Sequence, residues 1–481
     1  MIVPYHNSGS IYDEVFDNQG KLRPQYTDLV KHFDSFDSIS FEKLNEDAKL
    51  IFYNEGITFA VYSNENEATE RIFPFDMVPR LITSKEWNEI ESGILQRNKA
   101  VNAFLHDIYH EQNILNEGIV PRALIESSEN FVEEMIGVNP SGGIYNHISG
   151  SDIIRHSDGG FYILEDNVRC PSGVSYVVAN RQTLKKTFPK LFADYKTRQV
   201  NDYSSHLLQM MQSVAPNGVS QPYCVVLTPG LYNSAYYEHS WLAQSMGIEL
   251  VEGRDMFVEK GFVYAKTIYG SKKVDVIYRR IDDPFIDPEV FRKDSMLGVA
   301  GLMSAYQAGN VTLINAPGTG VADDKAVYTF MPQIIKYYLN EEPILKNVPT
   351  YKCENDDDYA YVMDNVDKLV VKPVDESGGY GITIGTTLSE PEIGVVQKNI
   401  TANRRKYIAQ PIMSLSTHPT FMQDGGSMEG RHLDLRTFCL LGGNGFEYVV
   451  PGGLTRVALK KGNLIVNSSQ GGGSKDTWVI D

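Results

Sequence analysis

The stretch FYILEDNVRCPSG, residues 161–173, opens as an apolar strand and ends in Glu165, Asp166, Asn167 and Arg169 before breaking at Pro171 and Gly173. Glu165 and Asn167 lie two apart, so an extended chain points both side chains to one face. Just upstream, SDIIRHSDGG (151–160) reads as a partner strand and turn, with Asp158-Gly159-Gly160 at the bend. Asp152 on that partner strand can face the same way. Asp, Glu and Asn oxygens suit Mg²⁺, which typically takes one or two carboxylates and fills its shell with water and phosphate oxygens.

Two more segments carry chemistry. KLVVKPVDESGGYGITI (368–384) is a strand bearing Lys372, then a loop with Ser377, Gly378, Gly379, Tyr380 and Gly381, then a second strand. Glycines let backbone N–H groups approach an anion, and lysine adds a point charge. The GK(S/T) ending of a phosphate-binding P-loop is missing. A strand, not a helix, follows the glycines, so a dinucleotide fingerprint is excluded as well. YIAQPI then places Gln410 at a strand end, where its amide can meet a planar base. In GRHLDLRTFCLLGG, alternation puts Asp434 and Arg436 on one face.

The elements that must position these groups divide the chain. Its 481 residues predict two or three domains. Residues 1–220 read as a helical region plus the acidic hairpin, with helical patches over 84–109 and 127–135. Residues 221–350 alternate strands (PYCVVLTPG, GIELVEG, FVYAK, VDVIYRR) with helices, the pattern of an α/β domain with parallel pairing. Residues 351–481 are rich in strands and glycine.

The net charge of −17 argues against a nucleic-acid partner. No stretch has the length of a membrane span and the start carries no signal-peptide pattern, so a cytoplasmic protein is expected. Cys170, Cys224, Cys353 and Cys439 form no CxxC pair, which reads as reduced thiols rather than a zinc site.

The order VVKP, glycine-rich loop, AQPI, DLRTF resembles the ATP-grasp fold of carboxylate–amine ligases. The acidic strands, which usually come last in that fold, here come first. The chain therefore resembles a circularly permuted ATP-grasp of the glutathionylspermidine synthase-like group, and NAPGTGVADDKAVYTF, DVIYRRIDD and QGGGSKDTWV are similar to stretches of it. The resemblance implies an α/β (α+β) fold with an inserted pre-ATP-grasp domain at 221–350. It implies ATP and Mg²⁺ as cofactors, and an ADP-forming ligase that joins a small-molecule or peptide carboxylate to an amine through an acyl phosphate. Lys325 and Lys372 become the ATP lysines, and Ser377–Gly381 the flap over the phosphates. Gln410 becomes the adenine contact, and Arg436 with Arg169 the catalytic cations. Asp152, Glu165 and Asn167 become the metal ligands. A non-catalytic nucleotide-binding module and a small-molecule kinase are the alternatives. Roles for Arg181, Arg279, Arg280, Arg456 and Lys475 stay open.

Overall fold

The computed structural model describes residues 11–62, 68–376, 381–422, 427–464, 466–467 and 471–481. Ser377, Gly378, Gly379 and Tyr380 of the expected flap lie outside the described residues.

The centre is a ten-stranded mixed sheet. Strands Ile148–Arg155 and Phe161–Asn167 form the expected antiparallel hairpin. Ile148–Arg155 also pairs with Ser427–Arg436, setting Asp152 opposite Arg436 and Ile153 opposite Leu435. Leu454–Val457 and Gly473–Ile480 continue the sheet, and Phe75–Thr83 closes it in parallel. Segments nearly three hundred residues apart are thus direct hydrogen-bonded neighbours.

Helix Ser84–Ile108 covers this sheet. A capping box of Thr83 and Glu86 starts it, and its buried face carries Trp87, Ile90, Ile94, Val101, Phe104 and Leu105. Arg97 on the same face pins the acidic strand, its Nε donating at 2.8 Å to the Asp166 carboxylate. The helical patch expected over 127–135 is instead a turn and a short 3₁₀ segment, Glu133–Met135. Ser127 and Ser128 divert hydrogen bonds there: Ser127 donates back to the Leu124 carbonyl, and Ser128 accepts from the Asn130 N–H.

Within the α/β region, Glu249–Val251, Cys224–Leu227, Val276–Arg279 and Thr312–Ile314 form a four-stranded parallel sheet in that spatial order. The FVYAK strand stays out of it: Phe262–Thr267 is the middle of a separate three-stranded antiparallel sheet. Short turns join it to its neighbours, and tight turns make antiparallel pairs.

A third layer holds the lysine strand. Leu369–Pro373 lies between Tyr407–Pro411 and Thr383–Ile384, all antiparallel, with Lys372 opposite Ile408 and Val370 opposite Gln410. Its own small core (Val362, Leu369, Val371, Ile400, Ala409) sits on the side away from the central sheet.

Candidate active site

A cleft of about 720 Å³, its mouth open to solvent, lies between the lysine sheet and the central sheet. One part is apolar, with Leu164, Val370, Ile382, Ile384, Met413 and Leu415. The other carries Asp152, Glu165, Lys372, Asp434 and Arg456. Apolar walls facing each other at one end and charge at the other suit a planar base attached to a polyphosphate.

A β-bulge aims Glu165 into this cleft. Asp152 pairs with Glu165 but Ile153 pairs with Ile163, so Leu164 is the extra residue. Strict alternation would place Glu165 and Asn167 on the face of Phe161 and Ile163, which pack into the core. The bulge reverses the parity, so that Leu164 and Glu165 both line the cleft. Asp166 then turns back to Arg97 and to the Ser151 hydroxyl, which donates to it at 2.8 Å.

Glu165 remains partly exposed and makes a long ion pair, 3.5 Å, with Lys325. Asn167 donates from Nδ2 to the Gly150 carbonyl at 3.0 Å, which leaves its Oδ1 as a free acceptor with respect to that bond. Both residues line a second, charged cavity with Lys325, Asp375 and Glu376.

Asp152 is fully buried. Arg436 grips it with two bonds, at 2.6 and 2.8 Å, and Arg456 adds a third at 2.7 Å. Burial alone would push this carboxyl up. The two guanidinium groups outweigh it and hold Asp152 well below the usual carboxylate range. The Glu165 carboxyl lies within hydrogen-bonding reach of it. Arg456 also pairs with Asp434, whose pKa burial raises against the pull of that arginine. Arg436 is thus anchored by Asp152 and reaches toward the Ser172 carbonyl at 3.4 Å.

The lysines approach from the other side. Lys372 is buried on the cleft wall, and desolvation pulls its pKa down to about 8, against the opposing Glu165 carboxylate. Lys325 begins the short helix Lys325–Tyr328, and its Nζ donates to the Glu376 carbonyl at 2.6 Å. Asp324 caps that helix through the Ala326 N–H and pairs with Arg405 at 2.7 Å. Gln410 lines the apolar part of the cleft, while its Nε2 donates to Thr350 at 2.9 Å. Gly381 closes the hairpin at φ +69°, a conformation natural to glycine.

Arg169 sits farther out, its Nε 2.6 Å from Asp323. That carboxylate also accepts the Val168 N–H, so it fixes the exit of the acidic strand. The structure therefore sets Asp152, Glu165, Lys372 and Gln410 on the cleft, and Asn167, Lys325 and Arg169 on the charged cavity that shares Glu165 with it, while Arg436 lies behind Asp152. It adds Asp323, Asp434 and Arg456. Pairing of Arg169 with Asp323 had no signal in spacing, whereas Asp434 was marked by its alternation with Arg436.

Among the described residues no group of three His, Cys, Asp or Glu side chains could cage a metal unaided. The donor set still fits magnesium. Glu165 and Asn167 present hard oxygens to one cavity, with the Asp152 carboxylate, itself balanced by two arginines, in reach of Glu165, and water and phosphate oxygens complete such shells. Cys170, the cysteine nearest this strand, is a free thiol whose pKa burial raises, which disfavours a nucleophilic thiolate. Arg181 and Lys475 belong to the interior, paired with Asp476 and Asp76. Arg279 pairs with Asp283 at 2.6 Å. No described helix is long and apolar enough to cross a membrane.

A profile for circularly permuted ATP-grasp type 2 proteins matches residues 79–458. An uncharacterized Synechocystis protein is 50% identical over 480 residues, covering 100% of this chain and 99% of its own length. An uncharacterized Mycobacterium tuberculosis protein is 49% identical, over 99% of this chain and 86% of its own. A Frankia alni protein provisionally named glutamate–cysteine ligase 2-3 is 38% identical over 97% of this chain, which spans 54% of that longer protein. Among solved structures, a glutathione synthetase-like effector of Globodera pallida shares the fold at TM-score 0.56 and 10% identity, over 92% of this chain and 98% of its own. The chain belongs to the circularly permuted ATP-grasp type 2 family.

Proposed function

We propose that this protein is an ATP-dependent carboxylate–amine ligase that releases ADP and phosphate through an acyl-phosphate intermediate. The observation that carries this reading is the sharing of Glu165 between an apolar cleft and a charged cavity that also holds Lys325. The base of ATP occupies the apolar cleft beside Gln410, and the phosphates run past Lys372 toward Glu165 and Lys325. The flap expected from the sequence at Ser377–Gly381 is assigned the role of covering them. Magnesium, when bound, would be held by Glu165, Asn167 and Asp152, and would neutralise phosphate charge there.

The chain's own groups do the rest by position and charge, the usual division of labour in phosphoryl transfer. Arg436, held rigid by Asp152, presents a fixed cation at the far edge of the metal carboxylates. Arg169, oriented by Asp323, orients the incoming carboxylate. The carboxylate oxygen bonds to the γ-phosphorus and ADP departs. An amine then bonds to the acyl carbon, and phosphate leaves. Water must be excluded between the two steps, which is the task of the covering loop.

The ligase name carried by the Frankia alni protein, about half of whose length this chain spans, favours amide formation over a kinase that stops after the first step. Magnesium-dependent ADP release with pooled carboxylates, with and without pooled amines, tests the reading. Hydroxylamine replacing the amines should yield hydroxamate. ADP release with a stable phosphorylated product and no hydroxamate would identify a kinase instead.

A further inference from the structure

The parallel sheet has a cavity of its own. The chain leaves strand Cys224–Leu227, adds Glu249–Val251 on one side, and then returns to add Val276–Arg279 on the other. The strand order therefore reverses between Cys224–Leu227 and Val276–Arg279. In open parallel sheets, the crevice beyond the strand ends at such a reversal is where ligands bind. A cavity of about 800 Å³, partly open to solvent, lies there, lined by Asn233 and Ser234 after the first strand and by Arg280 and Asp282 after the other. Its opposite wall is Asn167, Arg169 and Asp323, which also line the charged cavity of the nucleotide site.

Its charges are fixed and of both signs. Arg280 is buried and cannot swing. It donates to the Pro171 carbonyl at 2.9 Å and the Tyr278 hydroxyl at 2.8 Å, and pairs with Glu238 at 3.1 Å. Glu238 in turn accepts the Gly173 and Ser175 N–H groups at 2.8 and 3.1 Å, tying the sheet to the acidic strand's exit. Asp282 is exposed at the cavity and close enough to Arg169 to act on it electrostatically. Ser172, Asn233, Ser234 and His239 make most of the remaining wall, with Cys170 and Ala235 beside them, so an apolar acyl chain would leave polar groups there without partners.

Building on the ligase reading, we infer that this cavity seats an amphoteric acceptor substrate, an amino acid or short peptide. Its carboxylate lies toward Arg169, where it meets the nucleotide end, and its ammonium lies against Asp282.

Saturation-transfer NMR on the full chain tests this with three probe pools: amino acids with dipeptides, simple monocarboxylates, and simple polyamines. Signals are expected from members of the first pool only. Ser234→Trp, which fills the cavity, should abolish them. Asp282→Asn, a conservative change at an exposed position that keeps the test valid should the tryptophan variant misfold, should weaken binding by about tenfold, the loss of roughly one ion pair. Absence of signal from the first pool overturns the inference, as does signal confined to the other pools or undiminished in folded Ser234→Trp. Magnesium–ATP affinity, measured by calorimetry on the same samples, reports separately on the nucleotide cleft. A wild-type chain that binds the first pool but no ATP would refute the ligase reading and leave this pocket standing.

Discussion

Asp152 and Glu165 face each other across one strand pair, yet their burdens differ. Glu165 is partly exposed and holds Lys325 only at 3.5 Å, so Glu165→Ala should abolish magnesium-dependent ATP turnover with little change in melting temperature. Asp152 balances two guanidinium groups in the interior. Asp152→Ala should therefore destabilise the fold by about 3–5 kcal/mol, because it leaves buried cations unpaired. Urea titrations of both variants check the contrast, and equal stability losses would contradict it. Lys372 offers a pH test. With its pKa near 8, about half of it is neutral at pH 8 in the free protein. Bound polyphosphate favours the charged form and raises that pKa, so ATP binding at pH 8 should take up protons, and at pH 6.5 almost none. Calorimetry in buffers of different ionisation enthalpy measures the uptake. Lys372→Arg, charged at both pH values, should remove it, and persistence of uptake in that variant would assign it to another group.

At the scale of elements, the informative feature is the bulge at Leu164. The residues of the acidic strand were legible as ligands, and so was their hairpin with Ser151–Arg155. The parity was not. Phe161, Ile163, Glu165 and Asn167 share one parity, although the first two are core residues and the last two line the charged cavity. Only one inserted residue reconciles them, and an insertion has no composition signal of its own. The ion pairs were hidden for a related reason. Arg436 with Asp152, and Arg169 with Asp323, join segments whose proximity depends on the whole topology. Leu164 itself lines the apolar cleft. Leu164→Ala should weaken ATP and ADP binding alike by about three- to tenfold, the loss of roughly 1 kcal/mol of apolar contact. A loss confined to ATP would place Leu164 beside the phosphates instead of the base.

For the whole molecule, circular permutation makes the site depend on segments far apart in the chain. Strand Ile148–Arg155 has Ser427–Arg436 as its sheet neighbour, and Lys325 and Lys372 arrive from the segments between. The motif order alone carried this arrangement, because shared motifs in a changed order still require one closed site. Boundaries between strands of the parallel and antiparallel sheets at 256–279 were less legible, since FVYAK and VDVIYRR have the same alternating apolar character. Native-state hydrogen exchange should find Ile153 and Leu435 opening together with one free energy, as neighbours in one cooperative sheet. Widely different opening energies would mean that the two chain segments form separate units.

Oxygen tracing tests the ligase reading most directly. Carboxylates labelled with ¹⁸O, drawn from the amino-acid and dipeptide pool, are incubated with the protein, ATP, magnesium and a pool of amines. An acyl phosphate transfers one carboxylate oxygen to the departing phosphate, so the released phosphate should carry a single ¹⁸O in step with ADP formation. Phosphate free of label, with ADP formed at the same rate, would show that the γ-phosphate went to water and would contradict carboxylate activation.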